Sequence, residues 1–484
     1  MQYPGKYELA ILIVLALLTI ISLFCVSRFI LQGFPNSADE HAYLFQAQVF
    51  AQGRLSAVEH AQQEFLSPFY ILAHEGKVFS VFPPGWPLIL SIGMLLGVPA
   101  FVNPIIGGIT VLVVFALGWI LIGRRGAWIS TALIVMCPFF LFNSASYFSH
   151  PACLLSVLLT ILFLILWDHT ENGIYALCTG LFASLAFITR EYTSILLLVV
   201  PIIGIARHSI NRKLFIIWFV IGALPLFVFY LYNNQAITGN WLRPARFLLE
   251  SERLGFGDRV IQVFDYTETQ HYGLNDAITN LLSNLGRLFL WAAPGVPLIA
   301  LWGFWCKRDN PWFRYMAVSA LILPLGYILY PSDGGNQYGP RFYYESVVFL
   351  AFLATAGILS IWKSIIKKGL FWSFVIVALV ANGLLVWKHG VFYAEQIYGR
   401  RALYRLVERR DIHDAVVFVA VPSGDMTQGD LIRNLPDPTD SDVVYAWHLG
   451  RRNQELSESF KGRSFYLFSR DTRTGVLFLK RLSL

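Results

Sequence analysis

The chain reads as an all-α polytopic membrane bundle of about eleven spanning helices, followed by a small α/β domain outside the membrane. Three observations predict this. Of 484 residues, 56% are apolar and only 14% charged, and the mean hydropathy is +0.57, whereas a soluble chain carries about a quarter charged residues. The apolar residues come in blocks near the roughly 20 residues a bilayer-spanning helix needs. The basic residues gather in short loops between blocks: Arg124 and Arg125, Arg207 to Lys213, Lys307 to Arg314, and Lys363 to Lys368. That is the positive-inside pattern rather than a nucleic-acid surface, although the net charge is +7. The five cysteines lie in or beside apolar blocks with no CxxC pair, so neither a disulfide framework nor a structural zinc site is expected.

The first block, 9–31, is too long for a signal-peptide core and is followed by no small-x-small cleavage site, so it reads as a retained helix. A polar outer loop, 32–85, follows. The run at 86–97 is too short to span and is read as re-entrant, interfacial or an extension of the next helix, because a crossing there would put all four basic loops outside. The remaining spans read 101–122, 127–142, 151–167, 173–188, 192–206, 214–232, 286–304, 315–330, 344–362 and 370–388. The expected division is a membrane domain over 1–388 and a soluble extracytoplasmic domain over 389–484. In the latter the β-rich runs 416–421, 443–447, 465–468 and 476–479 alternate with Gly, Pro, Asp and Asn clusters. Eleven crossings from a cytoplasmic N-terminus leave the first loop, a short loop at 143–150, a long loop at 233–285, a loop at 331–343 and the C-terminal domain outside.

The polar residues of interest fall on that outer side. Asp39 and Glu40 open an amphipathic segment ending at Gly53, at a helix N-terminus where the dipole favours negative charge. On spacing alone, a capping acid and an acid that accepts a proton from a bound hydroxyl are equivalent readings. Val81 to Pro87 make a rigid turn, read first as a membrane-entry corner with Trp86 at interface depth. His150, before Pro151, reads first as a structural hydrogen bonder, with a ligand or proton-transfer group facing Asp39 as the alternative. Asp333 to Glu345 place glycines and then Arg341 at a bilayer boundary, which suits either an anion site or a lipid headgroup contact.

Taken in order, Asp39-Glu40, Phe82 to Leu88 (FPPGWPL), Arg190-Glu191-Tyr192, Tyr232 to Trp241 (YNNQAITGNW) and Gly339 to Glu345 (GPRFYYE) resemble the GT-C membrane glycosyltransferases. The likeness is to the family 39 type, which includes protein O-mannosyltransferases and the lipid A aminoarabinose transferase. The resemblance covers about residues 30–350 and implies a GT-C fold. It further implies a cell-envelope enzyme that transfers a sugar from a polyprenyl-phosphate donor to a hydroxyl on a lipid, glycan or protein at the outer face, among membrane lipids and without nucleic acid. It makes Asp39 the general base of an inverting displacement and Glu40 an assisting or positioning acid. Arg341 would meet the leaving phosphate with Arg190 behind it, and Tyr43, His150, Tyr338 and Tyr343 would complete the substrate site.

Two departures matter. Phe82 stands where aminoarabinose transferases carry a lysine before the paired prolines, and His150 stands where several GT-C enzymes place an acid. No cofactor is assigned. A divalent cation would have to combine Asp39, His74 and His150, a mixed set that the sequence permits without requiring, and no metal ligand is assigned. The competing reading is a transporter or flippase for a lipid-linked sugar, which would favour acids or broken helices at mid-membrane. The acids here avoid the span centres. A structural subunit of an envelope-glycan complex is the third reading.

Overall fold

Long apolar helices dominate because their backbone polar groups can be satisfied inside the bilayer only within the segment itself. The computed structural model describes residues 4–249, 254–263, 266–332, 334, 337–364, 368–420, 431–470 and 476–483. The membrane part opens with α1 (Lys6–Cys25), carried to Ile30 by a π-helical turn, then α2 (Ala38–Ala51) and the small antiparallel sheet of β1 (Ala57–Val58), β2 (Ile71–His74) and β3 (Lys77–Ser80). It continues through α3 (Gly85–Leu95), α4 (Val102–Ile122), α5 (Arg124–Val135), α6 (Pro138–Ser144), α7 (His150–Thr170), α8 (Gly173–Thr189), α9 (Glu191–His208) and α10 (Arg212–Thr238). The hairpin β4 (Gly257–Val263) and β5 (Tyr266–Tyr272) precedes α11 (Leu274–Trp291), α12 (Val296–Lys307), α13 (Pro311–Gly326), α14 (Ser346–Ser364) and α15 (Lys368–Arg400). The last part holds α16 (Ala402–Arg409), β6 (Ala415–Val419), β7 (Val443–Trp447), α17 (Asn453–Ser459), β8 (Ser464–Arg470) and β9 (Leu477–Leu482).

The chain is a multi-pass membrane bundle. Among the described residues eight helices are long and apolar enough to cross, or ten if each of two bent pairs counts as one span. The count of about eleven is lowered for three physical reasons. The segment 127–142 is broken before Pro138, where α5 and α6 meet at 63°. The segment 286–304 turns through 91° between α11 and α12, where Ala293 (φ 71°) and Gly295 (φ 87°) take left-handed backbone around Pro294. The 17 residues of α8, which run from the Glu171 end of the bundle to the Arg190 end, reach about 26 Å at 1.5 Å per residue against a ~30 Å hydrocarbon core, so α8 is not among the eight long helices. The run at 86–97 forms the 11-residue α3, which packs on α2 and α8 and is too short to cross.

Close backbone approach joins the bundle. A Cβ on Gly180 of α8 would lie 1.9 Å from the Phe219 carbonyl oxygen of α10, and one on Gly222 would lie 2.0 Å from that of Leu177. Any side chain there would drive the two helices apart, the usual reason small residues line membrane helix contacts.

The two ends of the bundle differ in chemistry. Glu8 at the start of α1 pairs with Arg124, and Glu171 after α7 accepts from the Ile210 backbone N–H at 3.0 Å, so the basic turns collect at one end. At the other end α1 finishes, α7, α9 and α14 begin, and α10 and α13 finish. The polar motifs therefore meet there.

The C-terminal part carries a four-stranded sheet of order β7-β6-β8-β9, with β6 parallel to both neighbours and β9 antiparallel to β8. It is fastened to the segment between α1 and α3. The Trp447 indole N–H donates to the Ser67 carbonyl at 2.9 Å, Arg452 pairs with Glu64, and Arg433 donates to the Pro35 carbonyl at 3.0 Å with its guanidinium 3.9 Å from the Phe34 ring.

Candidate active site

The acidic pair begins a helix that Ser37 caps, its hydroxyl accepting from the Glu40 backbone N–H at 3.2 Å. That cap turns Asp39 and Glu40 in opposite senses. Asp39 reaches a cavity of about 700 Å³, open to solvent, that it lines with Tyr43, Arg190, Glu191, Arg246 and Arg341. Its Oδ2 lies 2.9 Å from Arg341 Nη1. The start of α2 and the segment before α14 thus supply opposite charges to one chamber, although 302 residues separate them in sequence (341 − 39).

Arg341 is placed by a turn that the sequence builds from glycine and tyrosine. Tyr338 (φ 59°) and Gly339 (φ 96°) adopt left-handed backbone, and a side chain on Gly339 would strike the Trp291 ring at 2.8 Å. The turn is held by Asn143, whose amide donates to the Tyr338 carbonyl at 2.9 Å, and by Tyr393, whose hydroxyl accepts from the Tyr338 N–H at 2.8 Å. The Arg341 guanidinium rests 4.9 Å from the Phe148 ring centre. Its Nε and Nη1 have no aligned hydrogen-bond acceptor, so Asp39 is an ion-pair neighbour that leaves these donors unspent. Asp333, Gly335 and Asn336 of the same motif lie outside the described residues.

Two further arginines share the chamber. Arg190, between α8 and α9, donates to Ser149 at 3.2 Å and to the Tyr327 hydroxyl at 3.3 Å. Ser149 also contacts the Tyr43 hydroxyl at 3.1 Å. Burial pushes the Tyr43 phenol up to about 12, so it stays protonated at neutral pH. Arg246, on the long loop after α10, donates to the Tyr330 hydroxyl at 3.0 Å and approaches Glu191 at 3.8 Å. Three guanidinium groups face one cavity, a set of donors whose chemistry suits an anion, with Asp39 and Glu191 as the only carboxylates on its wall among the described residues. Sequence reasoning missed Arg246, because an arginine in a polar loop carries no signal of what the loop folds against.

Glu40, expected beside Asp39 as an assisting acid, is turned into the protein and fully buried. It accepts from the backbone N–H groups of Asn36 and Tyr147, each at 2.8 Å, and so ties the segment after α1 to the one between α6 and α7. His150, Tyr338 and Tyr343, expected as substrate contacts, are also buried and absent from the cavity wall. His150 contacts Glu345 behind the wall at 3.0 Å. Trp86, expected at interface depth, is fully buried and donates to the Tyr147 carbonyl at 2.7 Å, while its neighbours Phe82 and Pro83 line the cavity. Among the described residues no three His, Cys, Asp or Glu side chains converge as a metal site would require, and Asp39, His74 and His150 do not form one.

Burial raises the Glu40 carboxyl from 4.5 to about 7, against the opposing pull of its N–H donors. Because the folded-state value is the higher one, this group's contribution is complete below about pH 4.5 and is lost as pH rises through 7, a swing on the order of 3 kcal/mol. The unfolding midpoint in detergent should therefore fall between pH 5 and 8, and Glu40→Gln should shrink that fall. An unchanged pH dependence in the variant would mean that Glu40 does not titrate there.

No family model and no curated protein matches the chain. Among solved structures, ArnT from Cupriavidus metallidurans bound to undecaprenyl phosphate aligns over 99% of this chain and 98% of its own, with a TM-score of 0.57 at 12% identity. The same protein in its apo state aligns over 94% and 92%, with a TM-score of 0.57 at 13% identity. The likeness to ArnT is one of fold and runs nearly end to end, and it gives this chain the fold of ArnT, a multi-pass helical bundle with a small sheet-bearing part after it.

Proposed function

We propose that the chain is an integral membrane glycosyltransferase that moves a sugar from a polyprenyl-phosphate donor to a hydroxyl on a lipid, glycan or protein at the outer face of the membrane. The observation that carries this reading is the chamber shared by Asp39, Arg341, Arg190 and Arg246, because it pairs a proton acceptor with anion-stabilising donors. ArnT, whose fold the chain shares, binds undecaprenyl phosphate. The positive-inside rule supports a cytoplasmic N-terminus, with the chamber and the C-terminal domain outside.

In the proposed reaction the acceptor hydroxyl oxygen bonds to the anomeric carbon as Asp39 takes its proton. The bond from that carbon to the phosphate oxygen breaks, its electron pair stays with the phosphate, and configuration inverts. The three guanidinium groups meet the charge that develops on the departing polyprenyl phosphate. The cavity wall is partly aromatic, with Tyr330 and Phe342 rings 4.9 Å apart, which suits a sugar face beside the phosphate.

Mass spectrometry of lipids and glycans from cells with and without this protein tests the reading. A missing sugar modification, with its lipid-linked donor accumulating, is the expected result. Unchanged glycans and donor pools would overturn it.

A further inference from the structure

Arg190 differs from the other two cavity arginines in being surrounded by hydroxyls. Its guanidinium meets three hydroxyls, those of Ser149, Thr193 and Tyr327, at 3.2, 3.4 and 3.3 Å. Hydroxyls are neutral and rotate, so they cannot by themselves balance or aim a cation. Among the described residues the single ion-pair partner of Arg190 is Glu345, 3.7 Å away. Glu345 is fully buried and stands behind the cavity wall rather than on it. It is braced from the far side by His150, whose Nδ1 lies 3.0 Å from the same oxygen, Oε1.

We propose that Glu345, braced by His150, is a positioning residue that holds the Arg190 guanidinium turned toward the donor phosphate without itself touching substrate. This deepens the glycosyltransferase reading and rests on it. A buried cation that loses its counter-ion seeks another. Here the alternatives are the carboxylates of the cavity wall, Asp39 and Glu191, either of which would draw Arg190 out of place. His150, expected as a substrate contact but buried behind the wall, then acts through two other residues.

The charge on Glu345 is itself conditional. Burial raises its carboxyl to about 7, while Arg190 pulls it down. The titratable or charged groups facing it are Arg190 from the α8–α9 corner, His150 and Cys153 from α7, and Tyr344 on its own segment. Protonation near neutral pH would release the tether, so binding of a phosphate lipid should respond to pH through Glu345.

The test measures binding of undecaprenyl phosphate to the purified full chain in detergent, for wild type and Glu345→Gln, from about pH 5.5 to about pH 8. The ratio of the two affinities cancels the ligand's own titration. At pH 8 the variant should bind about tenfold more weakly, a loss of about 1.4 kcal/mol. At pH 5.5, where the wild-type carboxyl is protonated, the two should converge. A role confined to stability would lower the unfolding midpoint without moving this ratio with pH. Equal binding at both pH values, or a deficit that does not change with pH, would overturn the proposal. Should Glu345→Gln fail to fold, Glu345→Asp decides, because its shorter arm keeps the charge but withdraws it from Arg190. Weaker binding at pH 8 with convergence at pH 5.5 supports the proposal, and wild-type behaviour at both overturns it. If wild type does not bind the phosphate lipid at all, the donor class itself is wrong, a result distinct from the others.

Discussion

Asp39→Asn is expected to leave a folded, membrane-inserted protein that binds its donor and transfers almost nothing. The amide has the size of the carboxylate, and its carbonyl oxygen can keep the contact with Arg341 that now spans 2.9 Å. What it cannot do is accept the proton of the attacking hydroxyl. Loss of a positioned general base costs about 10²–10⁴ in rate, equivalent to roughly 3–5 kcal/mol of barrier. Donor binding should hold or tighten, since the variant removes a negative charge from a chamber that must accept phosphate. Single-turnover transfer from a labelled polyprenyl-phosphate sugar, measured beside donor binding, separates the two effects. Transfer within about tenfold of wild type would remove Asp39 as the base.

Arg341→Lys is expected to lose nearly as much, by a different route. Its Nε and Nη1 are uncommitted donors in the unliganded chamber, available for phosphate oxygens. The fork lies near Phe148 and Phe342, at 4.9 and 5.7 Å from the ring centres. A lysine keeps the charge but brings a single tetrahedral ammonium in place of paired planar donors, and it stacks less well on rings. Removing one such donor from a developing oxyanion costs on the order of 10²–10³ in kcat. Because the same phosphate is present in the ground state, donor affinity should fall as well, in contrast to Asp39→Asn. If Arg341→Lys retains both affinity and rate, the leaving phosphate is held elsewhere, and Arg246 and Arg190 become the groups to remove next.

Much of this site could be read from the chain because chemistry and sidedness travel together. The basic loops mark one end of every long helix, so the positions of Asp39, Arg190 and Arg341 at the opposite ends follow from counting crossings. The β-rich runs of the last hundred residues become strands of one sheet because alternation with turn residues is a local signal. Other features were not local. Glu40 is adjacent to Asp39 in sequence, yet the helix sends it into a pocket of N–H donors, and nothing in the residue type foretells which of two neighbouring acids faces water. His150, read first as a structural hydrogen bonder, is one, but its partner Glu345 could not be named in advance, and Trp86, read at interface depth, is an internal hydrogen bonder, because partners from distant segments reach them.

The apolar blocks and basic loops by themselves determined that this is a multi-pass bundle with its polar motifs at one end, because the energetic demands of a bilayer act on composition and length alone. Which arginines converge, where α11 breaks from α12, and which acid meets a cation were decided only by tertiary structure. Those outcomes depend on contacts between residues hundreds of positions apart. A loop arginine such as Arg246 acquires its role from the carboxylate and the phenol it folds against, and no property of its own neighbourhood encodes them.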